Sequence, residues 1–547
     1  MLTRSTCLVL VALAAGFGQQ HIHPVEAKET VPAPLLDGLG HLHHAITTSS
    51  PQAQRYFDQG LTLIYGFNHE EAARSFRYAA KLDPKCAIAY WGVALAVGPN
   101  YNEPEIDQNR LKQAREAIQK AVSLETNAGK NEQAYINALS KRYSNDPKAD
   151  VKQLAVNYKQ AMGEVMKRYP DDLDAATLYA ESAMDLRPWQ LWKSSGQPEA
   201  GTVEILEVLR SVLKRDPNHI GANHFYIHAT EAGPHPEDAL DSAKRLPGLT
   251  PGAGHLVHMP AHSYIRTGDY HAASAANSQA AAVDEAYVSK YRASGMYPVM
   301  YYMHNLHFLA VSSSMEGRFA DADRAAVKTV ANAAPHTKDN PMAEWYLPTQ
   351  TFVLVRFRKW PELQKLPEPD KNLRLAHAVW HFGRGMAYSG TGQLDKAKAE
   401  RDALAADTKA LPKDAMLGFN SAHQLLDMAG WMIDANIART QGNYKQAAAL
   451  LAKAAQAEDQ LNYDEPPDWY LPPRESLGAV LFQDGRHADA EAVFRAELKA
   501  HVKNPRALFG LAECLRAQNK SVDAASVRKE FDNAWKNADT QLRMADL

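Results

Sequence analysis

Small and aromatic residues at helical spacing, punctuated by glycine turns, organise most of the chain. Tyr56, Gly60, Ala72, Phe76, Ala79 and Pro84 outline one helix–turn–helix unit. Gly60 and Ala72 are small where its two helices meet, and Phe76 and Ala79 are placed to pack on the next unit. Pro84 stops the second helix. The same punctuation returns downstream. Gly317 precedes Ala322, Gly392 precedes Ala397, Gly442 precedes Ala447, and Gly485 precedes Ala490 and Phe494. Another turn, Thr267-Gly268-Asp269, leads into Tyr270, and Asp-Pro recurs at Asp83, Asp146 and Asp216. No useful stretch alternates apolar and polar residues, so the pattern predicts helices and no sheet.

This spacing resembles the tetratricopeptide repeat, a helix–turn–helix unit, over most of residues 50–535 and most weakly over 100–200. The resemblance implies an all-α fold, a right-handed superhelical solenoid of about nine to eleven helix pairs. On that basis residues 51–535 form the solenoid. N-terminal repeats occupy 51–200, His-rich central repeats 201–330 and C-terminal repeats 331–535, with a tail over 536–547. A wider likeness is to His-rich bacterial secreted repeat proteins with motifs such as His258-Met259-Pro260-Ala261-His262.

Composition narrows the function classes. The 547 residues carry a net charge of -3, which gives no electrostatic footprint for nucleic acid or an anionic membrane. Arg4 and the short apolar run Leu8 to Phe17 predict a signal peptide over residues 1–27, cleaved after Ala27, with Gly18 as another option. The expected location is periplasmic or secreted, with no membrane partner after cleavage. Residues 28–50, with Pro32 and Pro34, are expected to form a flexible arm. Only Cys86 and Cys514 remain beyond the signal peptide, so a disulfide framework and a cysteine zinc motif are both excluded. Any metal must be held by His, Glu, Asp, Tyr or Met. The 22 histidines are an excess, and the excess is clustered.

Repeat register turns that clustering into geometry. In these repeats places two, five, nine and twelve of the first helix face the inner groove and share one stripe. With Gly268 as the turn glycine, His255, His258 and His262 take places two, five and nine. With Gly317 as the next, His304 and His307 take places two and five. With Ala239 as the small second-helix residue, His224, His228 and Glu231 take places five, nine and twelve. Three neighbouring inner helices then aim seven histidines and one glutamate into one groove. His224 and His228, like His258 and His262, stand one turn apart, about 5–6 Å between Cβ atoms. The next helix lies roughly 8–10 Å away and can supply a third ligand. Imidazole ligation without thiolates favours copper or zinc, with iron also open. Pro260 either kinks this helix or begins it.

The expected metal ligands are therefore His224, His228, His255, His258, His262 and His307, with His224, His228, His258 and His262 as the core around one or two ions. Glu231, His304 and Tyr264 are the candidates for acid–base work. Arg474, Trp469 and Tyr301 are candidates for holding a small-molecule or peptide ligand in the groove: Trp-Tyr-Leu-Pro recurs at Trp345 and Trp469 ahead of an inner helix, with Arg474 just after the second, and Tyr301 accompanies the histidine stripes. His377 and His381 miss the groove places. Two functions stay open. One is a metal-dependent hydrolase or oxidase. The other is a peptide- or protein-binding scaffold, for which a groove of histidines is poorly suited.

Overall fold

The structure, a computed structural model, describes residues 33–146 and 148–547. The expected signal peptide lies outside the described residues. Among the described residues there are 25 α-helices and one two-stranded sheet, in which Met416–Leu417 pairs antiparallel with Asn420–Ser421. With Gly254–His258 and Pro260–Thr267 read as one interrupted helix, they form twelve pairs, slightly more than expected. No helix among the described residues is long and apolar enough to cross a membrane.

The turns follow the glycine pattern for a conformational reason. Gly268, Gly317, Gly392, Gly442 and Gly485 all have φ between 76° and 77°, the left-handed region that ends one helix without a Cβ penalty. Aromatic wedges then join the units. A Cβ on Gly60 would lie 2.6 Å from Phe76 Cε1, and Gly92 of the next unit would overlap the same ring. Phe494 is held in the same way between Gly478 and Gly510. One ring thus spaces two consecutive inner helices at each end of the array.

Residues 33–50 are not a flexible arm but are laid along the first helix, Pro51–Tyr65. The Leu36 N–H donates to Gln59 Oε1 (2.8 Å), Tyr56 O–H to the Ala33 carbonyl (2.9 Å) and the Thr47 N–H to Glu132 Oε1 (2.7 Å). Ala33 and Leu39 are buried. Backbone donors that would otherwise compete with water are satisfied by the solenoid, and the segment is fixed.

Curvature brings distant units together. Phe67, in the first turn, packs on His224 of the helix Ile220–Glu231, and Tyr270 O–H donates to the Val502 carbonyl (3.0 Å). One large apolar core runs from Ala33 to Tyr301 and a second from Val311 to Leu547. The histidine helices lie where the two meet.

The C-terminal repeats contain a pH-sensitive pair. Burial opposes a charge on His501, but Glu497, 2.7 Å away, with Glu458 and Glu475 behind it, outweighs burial and raises the imidazole to about 9. The unfolded value is near 6.5. The pair's stabilisation is therefore fully present below pH ~6.5 and lost as pH rises through ~9. The Tm difference between the wild type and His501→Gln is expected to be largest near pH 6 and to shrink toward zero by pH 10. A difference that stays constant over that range contradicts the assignment.

Candidate metal centre

Two histidine trios, rather than one four-histidine core, form where the central repeats meet. His224, His228 and His255 make the first, and His258, His262 and His304 the second. Within each trio one nitrogen from each ring lies within 4.8 Å of the others. His224 and His228 come from Ile220–Glu231, His255 and His258 from Gly254–His258, His262 from Pro260–Thr267, and His304 from Met303–Met315. The interruption falls inside the second trio, between His258 and His262. Pro260 starts a new helix directly after a preceding helical turn, joined through Met259. His255 and His258 share the short first helix yet belong to different trios.

Hydrogen bonding fixes which nitrogen of most rings faces inward. His224 Nδ1–H donates to the Tyr65 carbonyl at 2.6 Å. His228 Nδ1 faces Glu231 Oε1 at 3.1 Å. Asn277 Nδ2 donates to the Ala273 carbonyl, so its Oδ1 is turned to accept from His258 Nδ1 at 2.6 Å. His262 Nδ1 lies 2.9 Å from Glu231 Oε2 and 2.8 Å from Glu465 Oε2. A neutral imidazole carries one proton, and in these rings Nδ1 holds it. Their Nε2 lone pairs therefore point inward. His258 Nε2 is 2.8 Å from His262 Nε2 and 3.1 Å from His304 Nε2, and His224 Nε2 is 3.1 Å from His255 Nε2. His228 Nε2 is buried with no hydrogen-bond partner.

Each inner contact needs either a proton on one Nε2, which the tautomers of His255 and His304 and a charge on His262 supply, or a cation among the rings. The rings are also dry. His224, His228, His255, His258 and His262 are at most 3 % exposed, and His304 is half-buried. Burial, reinforced by the neighbouring imidazoles, holds His224, His255 and His258 well below the usual imidazole range. Burial does the same to His304. It also lowers His228, against the pull of Glu231. His262 is the exception: burial opposes its charge, but Glu231 and Glu465 outweigh burial and raise it. In the metal-free protein a proton on His262 is then shared toward His258 Nε2, where a cation is otherwise wanted.

The fit to a transition metal is good. Zinc–imidazole bonds of about 2.0–2.1 Å place ligand nitrogens about 3.3 Å apart, close to the spacing found here. Acceptors on the outer nitrogens are the supports that metal-bound histidines require. Glu231 supports one ring in each trio.

Other sequence candidates fall elsewhere. His307 belongs to neither trio. Its ring packs against Tyr346 and Tyr470 instead. His304, expected to do acid–base work, is a trio member. Tyr264 packs with Ala261, Ala273 and Phe308. Trp469 is a core residue, 2 % exposed, against Phe352 and Phe382. Arg474 is engaged by Glu458 and Asp459. Tyr301 does reach the centre, its ring 5.0 Å from that of His255. Glu465 and Asn277 escaped the sequence reading. Glu465 lies 203 residues from its partner His262.

Two other clusters are ion-pair networks by geometry. His377 Nδ1 meets Asp407 at 2.5 Å, His377 Nε2 meets Glu368 at 3.2 Å, and His381 Nδ1 meets Glu400 at 2.5 Å. Asp174 is shared by His44, His219 and Tyr65.

A family model described as tetratricopeptide repeat matches residues 57–97 and 476–537, the two segments built on the Phe76 and Phe494 wedges. The chain carries tetratricopeptide repeats. Similar solved structures include the human IFIT1 dimer with m7Gppp-AAAA, at 12% identity, covering 89% of this chain and 91% of that one with a TM-score of 0.33. The Cut9-Hcn1 hetero-tetramer of the APC/C is similar at 11% identity, 90% and 80% coverage and a TM-score of 0.33. Yeast Tom70 is similar at 12% identity, 88% and 90% coverage and a TM-score of 0.28. No curated protein matches the chain.

Proposed function

We propose that this tetratricopeptide-repeat protein is an exported metalloprotein whose two histidine trios each hold one transition-metal ion, copper or zinc. The observation that carries the reading is the convergence of ring nitrogens in a water-poor interior, with His224, His228, His258 and His262 each supported from behind by an acceptor. Ions bound there supply Lewis acidity or, for copper, a redox couple. The reaction class that follows is a metal-dependent oxidation or hydrolysis. The chain's own residues would do the rest. Glu231 and Glu465 hold or take the proton at His262 Nδ1. Phe67, Tyr101, Trp189 and Tyr301 pack around the first trio and keep water out.

The repeat match favours a second reading, a peptide- or protein-binding scaffold, the usual use of such arrays. Both can hold in one molecule, because the centre is buried and the outer faces of the solenoid are not spent on it.

Metal analysis tests the proposal. Protein purified without chelator, or reconstituted with copper or zinc and then gel-filtered, is expected to carry two ions per chain. Protein that retains none under either treatment would overturn the reading.

A further inference from the structure

Each trio is backed by one phenylalanine. The Phe67 ring lies 4.5 Å from His224, 5.6 Å from His228 and 5.4 Å from His255. The Phe308 ring lies 5.2 Å from His258, 5.3 Å from His262 and 5.8 Å from His304. Among the described residues, neither ring touches an imidazole of the other trio. The trios meet each other directly, with His228 and His262 5.4 Å apart and His255 and His258 5.8 Å apart by ring centroid. The order through the centre is therefore Phe67, first trio, second trio, Phe308. Both phenylalanines are fully buried, at 1 % and 0 % exposure.

Phe67 occupies its place at a cost. It lies in the left-handed region, φ 54°, directly before the residue that caps the next helix. That is the position held by Gly268, Gly317, Gly392, Gly442 and Gly485 in other units. Arg358 and Asn519 also take it, but their side chains are not set against a cluster. A bulky residue there is strained and persists only where its surroundings hold it. What Phe67 gains is contact with all three imidazoles of one trio.

We infer that the open coordination positions of the two ions face each other, so that the centre takes one small ligand, of one to three atoms, bridging both. Hydroxide, azide and dioxygen belong to this class. Phe67 and Phe308 close the outer faces to anything larger. This rests on the two-ion reading above. An apolar ring offers a metal no donor atom, so no ligand enters from those sides. Each trio supplies three nitrogens, which leaves at least one position per ion, and the space between the trios is where those positions converge. The second trio is the more accessible, because His304 is half-buried while the five other rings are enclosed.

The test is an azide titration of protein loaded with copper(II), after its metal content is measured. The expected result is two coppers, one azide per chain, and loss of the copper electron-spin signal as the bridge couples the pair. Two coppers with two azides and an undiminished spin signal overturn the inference and leave the two-ion reading standing. Fewer than two coppers bound sinks both. Phe67→Ala is expected to raise the stoichiometry from one azide to two and to admit imidazole at the first trio. Phe67→Leu, which keeps an apolar wall, is expected to behave as the wild type. If Phe67→Ala does not fold, the wild-type and Phe67→Leu titrations still decide the matter. Imidazole binding to the wild type as readily as azide would also overturn it.

Discussion

Replacing His228 and His262 together with alanine is expected to abolish stable metal binding, from two ions per chain to none after gel filtration. Each substitution leaves its trio with two imidazoles on a site built for three. Loss of a mere hydrogen-bond partner behind a ligand costs about 10–100-fold in affinity, and loss of the ligand itself costs more. The single variants separate the sites. His228→Ala is expected to retain one ion, in the second trio, and His262→Ala one ion, in the first. Folding is a necessary control, because both side chains are buried. Circular dichroism and the melting temperature of the chelator-treated proteins provide it. His228→Gln and His262→Gln, which keep more of the side-chain volume, should lose the same ions. If the folded double variant keeps two ions per chain, the trios are not the binding sites.

Much of the fold could be read from the sequence because tetratricopeptide units repeat a local solution. The turn glycines announce left-handed backbone, and Phe76 and Phe494 announce wedges between small residues. Both signals lie within one or two units of their partners. The same register put His224, His228, His255, His258 and His262 on one shared stripe, and in the structure they gather in the two trios. Their division into two trios was not legible, because it depends on superhelical curvature, which spacing does not report. His307 illustrates the limit. A repeat template assigns it to the groove beside His304, but its ring is taken up by Tyr346 and Tyr470 rather than by a trio. Glu465 and Phe67 were hidden for different reasons. Glu465 arrives from a loop more than two hundred residues away. Phe67 sits at a turn where the pattern expects glycine, so it reads as an irregularity until its contacts are seen. The stretch 33–50 has the composition of a mobile arm, yet it finds partners for its backbone on the first helix.

Glu231→Gln is expected to weaken both metal sites at once, by about 10–100-fold each, whereas Asn277→Ala is expected to weaken only the second. The asymmetry follows from the wiring. Asn277 supports His258 alone. Glu231 faces His228 through one oxygen, hydrogen-bonded at 3.1 Å, and stands in ion-pair contact with His262 through the other, at 2.9 Å. A carboxylate has acceptors on both sides, while the glutamine amide turns donors toward one of its two imidazoles. That ring must then surrender its Nδ1 proton or lose the contact, and its orientation at the ion loosens. His262 keeps its hydrogen bond to Glu465, at 2.8 Å, so its trio should suffer less than that of His228. A chelator competition titration resolving two affinities measures all of this in one experiment. Weakening confined to one site would mean that Glu231 serves only one ligand. Two buried cations side by side repel strongly, and a shared negative charge behind both ligand sets is the arrangement that lets a dry interior hold them together.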